Sequence, residues 1–234
     1  MNENTDTKQI GVLLLHGLAG SRKDVEPLKK HLEKSGFIVS MPVLAGHEST
    51  RAALSKSKYT EWLQTAEDAA HELVARCDKL ILIGFSMGGL VSVNLCCKMD
   101  IAKLVLINTP IYYWDINRIV KNLAGDFAKY CKIYFTASAK KPILTLLEFL
   151  KLLKKTKPLL SCVNCPVLVI QTLDDDTVNA KSADYIFQKI KGEKTIKKYK
   201  TGGHVLFETD IASTVFTDIC GALLSHNPFP KYIQ

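Results

Sequence analysis

The stretch LILIGFSMGGLVSV, residues 80–93, combines an apolar strand, a tight turn and the start of a helix. Its apolar run stops at Gly84, Ser86 follows two residues later, and Gly88 comes after it. Such a tight turn needs small neighbours, and it lifts the serine hydroxyl above the carboxyl edge of a sheet. It also aims the free N–H groups and positive dipole end of the next helix at any oxyanion beside Ser86. The pattern Gly-x-Ser-x-Gly therefore predicts a nucleophilic serine at a strand–helix junction.

On both sides of this stretch, segments typical of strands alternate with amphipathic segments. Strands are predicted at residues 10–15, 37–42, 79–85, 103–108, 166–172 and 194–199. Apolar residues at helical spacing predict helices between them, with a closing helix at 207–225. Mostly apolar strands that alternate with helices indicate a parallel sheet covered on both faces. We therefore expect an α/β fold with a mostly parallel sheet of about six strands, and the length of 234 residues favours one domain.

Residues 110–162 interrupt the alternation and contain no evident sheet strand. They include PILTLLEFLKLLKKTKPLL, residues 142–160, which predicts a helix with a wide apolar surface and a narrow polar stripe whose lysines face solvent. The segment 111–165 holds nine lysines and one arginine against three carboxylates, so it carries seven of the eight excess positive charges. A solvated basic face is the simplest interpretation, and a rim that weakly contacts anionic substrate or lipid is the alternative. No nucleic-acid-binding motif accompanies it.

The cysteines and the absence of long apolar runs indicate a cytoplasmic protein. No run approaches about 18 apolar residues, and the N-terminus lacks the pattern of a signal peptide. Of the seven cysteines, the pair CC at 96–97 falls in a predicted helix and CVNC at 162–165 precedes a strand. Both are interpreted as structural thiols. No further pair at zinc spacing accompanies CVNC, so no metal site is predicted.

A serine nucleophile needs a base within hydrogen-bond reach and a carboxylate that orients that base. His204, in TGGHVLF, lies in a glycine-flanked loop between the last predicted strand and helix, where it can reach Ser86 across the edge of the sheet. His16 and His47 are expected to hold loops in place. The acid is expected in QTLDDDTVNA, which follows the strand at 166–172 and offers three aspartates at 174–176. The order serine, aspartate, histidine is that of the α/β-hydrolases.

The motifs HGLAG, PVLAGHE, GFSMGG, and DDDTV with GGH occur in this order across residues 16–204. With them the chain resembles the α/β-hydrolases, most of all the small bacterial carboxylesterases related to monoacylglycerol lipases. The resemblance implies that Asp175 is the acid and that the backbone N–H groups of Leu18 and Met87 form the oxyanion hole. It also implies a helical cap at residues 110–162, inserted in a core domain made of residues 1–109 and 163–234.

The expected function is that of a serine carboxylester hydrolase that uses Ser86, Asp175 and His204 and needs no metal or cofactor. Its expected substrates are small molecules, namely short- to medium-chain acyl esters with monoglycerides among them. The helix near 142–157 is expected to roof an acyl pocket through Leu146, Leu147, Phe149, Leu150 and Leu153. Thioesterases, peptidases and acyltransferases use the same triad, so these activities stay open. A non-catalytic binding module with this fold is the alternative from another class.

Overall fold

One parallel sheet forms the centre of the protein. The computed structural model describes residues 9–112 and 142–225. Within them, six strands lie in the order β2-β1-β3-β4-β5-β6, and every neighbouring pair is parallel. The strands are β1 (Ile10–Leu15), β2 (Ile38–Ser40), β3 (Lys79–Phe85), β4 (Lys103–Ile107), β5 (Val167–Thr172) and β6 (Lys194–Tyr199). The predicted α/β fold and number of strands are confirmed.

Helices cover both faces of the sheet and bury two apolar clusters. The helices are α1 (Glu26–Lys34), α2 (Arg51–Lys56), α3 (Tyr59–Val74), α4 (Met87–Cys96), α5 (Ile143–Leu159), α6 (Lys181–Lys189) and α7 (Ala212–Leu224). Residues of α1 and α7 form the cluster on one face. Residues of α3, α4, α5 and α6 form the cluster on the other. The strands β1, β3, β4 and β5 are mostly apolar on both sides because both of their faces are covered in this way.

The chain changes direction within the sheet at β1, and this change places the site. From β1 the chain moves to β2 on one side, and it then crosses back to β3 on the other side of β1. Leu15, the last residue of β1, pairs with Gly84 near the end of β3. The loops that leave these two strands therefore separate at the carboxyl edge of the sheet and open a crevice there. Ligands of open parallel sheets bind at such switch points.

The closing helix and the helix α2 differ clearly from the sequence-based predictions. The closing helix begins at Ala212 and not at residue 207, because a 3₁₀ turn at Leu206–Glu208 comes first. The helix α2, which was not predicted, begins after Thr50, whose hydroxyl accepts a hydrogen bond from the N–H of Ala53 at 3.1 Å. No helix in residues 9–112 or 142–225 is long and apolar enough to span a membrane.

The helix α5 packs on the core with a face that the sequence pattern assigned to the polar stripe. Thr145 is fully buried, and its hydroxyl donates to the carbonyl oxygen of Leu54 at 3.0 Å. Glu148 accepts a hydrogen bond from the N–H of Tyr59 at 3.2 Å. Only the lysines of that stripe face solvent, as predicted. The rest of the predicted cap, residues 113–141, lies outside the described residues.

Candidate active site

Ser86 lies in a strained turn between β3 and α4. Its φ is 53° and its ψ is −122°, a conformation that residues with a side chain rarely adopt. Two backbone hydrogen bonds hold it there, from the N–H of Ser86 to the carbonyl of Ile107 at 2.8 Å and from the N–H of Gly89 to the carbonyl of Ser86 at 2.9 Å. A Cβ at Gly88 would lie 2.2 Å from the carbonyl oxygen of Leu15, so this position excludes any side chain.

A continuous chain of hydrogen bonds joins Ser86, His204 and Asp175. The Nε2 atom of His204 lies 3.0 Å from the Oγ atom of Ser86, and its Nδ1 atom lies 2.8 Å from Oδ2 of Asp175. Because a carboxylate only accepts, Nδ1 carries the proton in the neutral ring, and Nε2 offers its lone pair to the serine hydroxyl. The structure brings together the three residues that the sequence analysis selected.

Asp175 is held by the backbone of its own loop. It is 3% exposed, and its Oδ1 atom accepts the N–H groups of Thr177 and Val178, both at 2.8 Å. These bonds fix the carboxylate and leave Oδ2 for the histidine. The neighbour Asp174 has a different position, since it accepts the N–H groups of Gly202 and Gly203 at 3.1 and 2.9 Å.

Asn108 is a site residue that the sequence analysis missed. It directly follows β4 with a φ of 45°. Its Nδ2 atom lies 2.9 Å from the carbonyl oxygen of His204, and its Oδ1 atom accepts the N–H of Thr172 at 3.0 Å. Thr172 in turn donates its hydroxyl to the carbonyl of Gly203. The ends of β4 and β5 thus hold the loop that carries the histidine. The only signal in the sequence was a polar residue at the end of an apolar strand.

The loop HGLAG passes directly beside Ser86. A Cβ at Gly17 would lie 3.2 Å from the Cβ of Ser86, so the backbone of the loop approaches the serine closely. Ala19 has a φ of 52°, and the N–H of Gly20 closes the turn onto the carbonyl of Gly17 at 3.3 Å. Leu18 lies in this turn, and its side chain is 9% exposed.

Met87 directly follows Ser86 in the chain. It is the first residue of α4, where a backbone N–H has no partner within the helix, and its side chain is fully buried. The amino end of the helix and its positive dipole therefore point at the region of the Ser86 hydroxyl. The loop that carries Leu18 and the first residue of α4, Met87, thus both adjoin Ser86.

The buried histidines His16 and His47 hold the loop HGLAG and the loop around Leu44 in place. His16 accepts the N–H of Leu44 through Nε2 at 3.2 Å and donates from Nδ1 to the carbonyl of Gly17 at 2.9 Å, so it fixes both loops as expected. Burial lowers the pKa of His16. The ring of His47 lies 4.9 Å from that of His16, and its Nδ1 atom lies 3.2 Å from the carbonyl oxygens of Leu44 and Ala45. Burial, reinforced by His16, lowers the pKa of His47 to about 4, so this ring is neutral at neutral pH.

The helix α5 begins on the side of the sheet edge that carries Ser86 and runs away from it. Near its end, Thr156 accepts a hydrogen bond from Asn94, close to the end of α4, at 2.7 Å. The first half of α5 contacts the start of α3 instead, through the hydrogen bond between Glu148 and Tyr59. In the same part of α3, the ring of Trp62 lies 5.7 Å from the ring of His47. The helices α4 and α5 therefore run in the same direction. At about 1.5 Å per residue, Ile143 lies about 20 Å from Thr156, whereas Met87 lies only about 10 Å from Asn94.

The first turns of α5 consequently extend beyond the start of α4, on the side of Ser86. This part of the helix is rich in exposed apolar side chains. Of the five residues predicted to contact an acyl chain, Leu147 is 48% and Leu150 is 44% exposed, whereas Phe149 and Leu153 are buried in the core cluster and Leu146 packs against it. Ile143 and Leu144, which the sequence analysis did not select, are 77% and 57% exposed.

Comparisons with known proteins place the chain in a family. Residues 11–120 match the family described as alpha/beta hydrolase fold. A thermostable monoacylglycerol lipase of Bacillus sp. (strain H-257) is 30% identical over 210 residues, which cover 84% of this chain and 83% of that protein. This chain belongs to the α/β-hydrolase family. A carboxylesterase of Bacillus subtilis (strain 168) is 25% identical over 207 residues, covering 83% of this chain and 84% of its own.

Solved structures show the same α/β-hydrolase fold. A structure from work on LipS and LipT, two metagenome-derived lipolytic enzymes, has a TM-score of 0.80 at 22% identity and covers 94% of this chain and 95% of its own. A soluble variant of monoglyceride lipase from Saccharomyces cerevisiae, in complex with a substrate analogue, has a TM-score of 0.74 at 18% identity. The second likeness covers 97% of this chain and 89% of the yeast chain.

Proposed function

We propose that this protein is a serine hydrolase that cleaves carboxylic esters with short to medium acyl chains through an acyl-enzyme intermediate. The observation that carries the proposal is the hydrogen-bonded series Asp175–His204–Ser86, with distances of 2.8 and 3.0 Å, at a strained strand–helix junction. A buried carboxylate, an imidazole and a serine hydroxyl in this order form the arrangement that acyl transfer needs. The named relatives, a monoacylglycerol lipase and a carboxylesterase, support the same reaction class.

In the proposed first step, His204 takes the proton of Ser86 through Nε2 as the hydroxyl oxygen attacks the ester carbonyl. The imidazolium that forms is stabilised by Asp175, which keeps its own charge. The carbonyl oxygen becomes an oxyanion, and the backbone N–H groups of Leu18 and Met87 are the proposed donors to it. Donors that are fixed before the reaction are worth about 3 kcal/mol each in such sites.

In the second half of the reaction, His204 returns the proton to the leaving alcohol, which departs from the acyl-enzyme. A water molecule then gives its proton to His204 and attacks the acyl carbonyl, and Ser86 leaves with the proton from the imidazolium. The proposed chemistry uses side chains, backbone N–H groups and water alone, so it needs no metal or cofactor.

The proposed acyl pocket lies under the first turns of α5. These turns project toward Ser86, and Leu147 and Leu150 on them are exposed, which supports this placement. Leu146, Phe149 and Leu153, which are packed inward, would then form its back wall. An apolar pocket suits a monoglyceride or a similar neutral ester. The exposed Lys151 and Lys154 on the same helix are the proposed site of a weak peripheral contact with anionic lipid.

The decisive experiment combines covalent labelling with turnover. The wild-type protein is expected to react with a fluorophosphonate probe at one site, Ser86, and to hydrolyse p-nitrophenyl esters. Ser86→Ala should lose both reactions while its Tm stays close to that of the wild type, because the hydroxyl is needed for chemistry and not for packing. A labelled protein that turns over a thioester faster than the matching ester would instead be a thioesterase. A chain that resists labelling would be a non-catalytic binding module.

A further inference from the structure

The loop HGLAG is connected to the loop after β2 by two polar contacts, one near each of its ends. At its start, Nε2 of His16 accepts the N–H of Leu44 at 3.2 Å. Two residues past its end, the side chain of Arg22 forms an ion pair with Glu48. Leu18, the proposed donor to the oxyanion, lies between these two contacts in the sequence. The path of the backbone at Leu18 is therefore constrained from both sides.

Four hydrogen bonds join Arg22 to Glu48, and together we call them the clamp. The Nε atom of Arg22 donates to Oε1 and Oε2 at 3.2 and 3.1 Å, and Nη2 donates to Oε2 at 2.9 Å. The backbone N–H of Arg22 donates to Oε1 at 2.5 Å. A guanidinium that binds both oxygens of a carboxylate fixes direction as well as distance. Because the backbone N–H takes part, the clamp holds the main chain that follows HGLAG and not only a side chain.

The backbone of Glu48 is strained. Its φ is 51°, in the left-handed region that favours glycine. Residues with a side chain keep such a conformation only where their surroundings enforce it, and these positions cluster at functional sites. Within HGLAG, Ala19 has the same kind of backbone, with a φ of 52°. Glycine at position 48 would relieve the strain but could not bind Arg22.

A cavity of about 440 Å³ lies between the two loops. Its lining includes residues 19–21 of the first loop and residues 46–48 of the second. Side chains that filled this space would hold HGLAG in place by packing. In the part of the chain that the structure describes, the polar contacts at the two ends therefore determine the position of the loop more than packing between them does.

We propose that Arg22 and Glu48 are positioning residues, whose clamp fixes HGLAG so that the N–H of Leu18 is directed at the oxyanion. This inference rests on the proposed function. In this role neither side chain touches the ester, since Glu48 acts through Arg22 and Arg22 acts through the backbone of the loop. A donor that is oriented in advance stabilises the transition state more than the bound ester. Loss of the clamp should therefore slow the chemical step and leave the binding of the ester almost unchanged.

The competing explanation is that the clamp contributes only to stability. The side chains of Arg22 and Glu48 are 49% and 23% exposed, and ion pairs at the surface usually contribute little to the free energy of unfolding. The chain offers a matched control in Lys98 and Glu67, whose side chains are 51% and 22% exposed and whose Nζ–Oε2 distance is 2.5 Å. This second pair lies at the end of α4 away from Ser86.

The test compares Glu48→Gly, Arg22→Ala and the control Glu67→Ala with the wild type in ester turnover and in thermal melting. Glu48→Gly removes the clamp and also the strain of the positive φ, so its Tm should stay close to or above that of the wild type. Its kcat should nevertheless fall by roughly 10- to 10²-fold with little change in KM. Arg22→Ala should lose kcat to a similar extent, and the double variant should lose no more, because both changes remove the same contact. Glu67→Ala should keep the kcat of the wild type.

A trifluoromethyl ketone, which forms an oxyanion adduct with a nucleophilic serine, tests the orientation of the donor directly. Its Ki should rise in Glu48→Gly by the factor by which kcat/KM falls. Clamp variants that match Glu67→Ala in kcat, or a Ki that stays at the wild-type value while kcat falls, would overturn the proposal. A wild-type protein that fails to react with the fluorophosphonate probe would instead refute the proposed function, because its clamp is intact.

Discussion

The side-chain amide of Asn108 holds the main chain of His204, with 2.9 Å between Nδ2 and the carbonyl oxygen. The same side chain accepts the N–H of Thr172 at 3.0 Å, so one residue connects the ends of β4 and β5 to the histidine loop. The positive φ of Asn108, 45°, directs the side chain across these strands. The position of His204, the proposed base, therefore depends on Asn108, a buried side chain that is not proposed to contact the ester.

The first prediction concerns Asn108→Asp. The carboxylate keeps an acceptor for the N–H of Thr172, but it repels the carbonyl oxygen of His204 that the amide bound. Displacement of a catalytic group by about 1 Å costs about 10²-fold in rate, so we expect kcat to fall by about this factor with little change in KM. The measurement is a full kinetic profile, together with the rate of fluorophosphonate labelling.

Two further variants separate positioning from stability at this place. Asn108→Gly tolerates the positive φ and removes both hydrogen bonds, so it should lose kcat to a similar extent. Thr172→Ser keeps the hydroxyl that binds the carbonyl of Gly203, and it should stay close to the wild type. If Asn108→Asp lowered the Tm but left kcat intact, Asn108 would have only a structural role.

The second prediction distinguishes the three aspartates of the acidic loop. Asp175→Asn should lower kcat by about 10⁴-fold, because an amide neither favours the required tautomer of His204 nor stabilises its cation. Asp176→Asn alters a carboxylate that contacts only the exposed hydroxyl of Thr177 among the hydrogen bonds described for it, so it should be nearly neutral. Gly202 and Gly203 donate to separate oxygens of Asp174, so Asp174→Asn keeps an acceptor for only one of them, and its effect should be far smaller than that of Asp175→Asn. Equal losses in Asp174→Asn and Asp175→Asn would argue against the proposed acid.

The elements that the sequence predicted well are those whose evidence is local. The apolar strand before Gly84 and the small residues around Ser86 lie within a few positions of one another, and the elbow follows from steric limits alone. The alternation of strands and helices likewise indicated the parallel sheet. For the triad, the position of each loop after its strand indicated Ser86, His204 and a run of three aspartates, because parallel strands bring their carboxyl ends to one edge. The choice of Asp175 within that run came from the family resemblance.

The features that the sequence did not predict depend on partners far along the chain. Thr145 belongs to a polar stripe on α5, yet it is buried. Its hydroxyl can be buried because it donates a hydrogen bond to the carbonyl of Leu54, 91 residues away. The contact of Asn108 with the carbonyl of His204, 96 residues away, depends in the same way on how the chain folds. Periodicity shows which side chains share a face of a helix, but it does not show which polar groups another element offers to that face.

The third prediction is a loss of stability in mild acid, caused by His47. The pKa of His47 falls from 6.5 to about 4 on folding. Between these two pH values, the unfolded chain therefore binds a proton at His47 and the folded protein does not. The free energy of unfolding should therefore be unaffected above pH 6.5, fall as the pH drops from 6.5 toward 4, and level off below that. The full difference is about 3 kcal/mol. Urea unfolding at several pH values measures it.

Substitution of His47 tests the origin of this acid sensitivity. His47→Gln should be less stable at pH 7 and should show a flatter loss between pH 6.5 and 4, with the remainder caused by His16, whose pKa burial also lowers. His71→Gln, at an exposed position on α3, should keep the full slope of the wild type. An unchanged slope in His47→Gln would show that other groups cause the acid sensitivity.

The last prediction concerns the acyl pocket proposed under α5. Burial of each methylene group of an acyl chain is worth about 0.8 kcal/mol, so kcat/KM should rise a few-fold per added methylene until the chain outgrows the pocket. Leu147→Ala and Leu150→Ala remove exposed apolar surface from the first half of α5, and they should flatten this rise. The measurement is kcat/KM for p-nitrophenyl esters from acetate to decanoate. Leu224→Ala is the matched control, because Leu224 is 54% exposed on α7, which covers the other face of the sheet. A flat profile in the wild type, or an equal effect of all three substitutions, would mean that α5 has no role in binding the acyl chain.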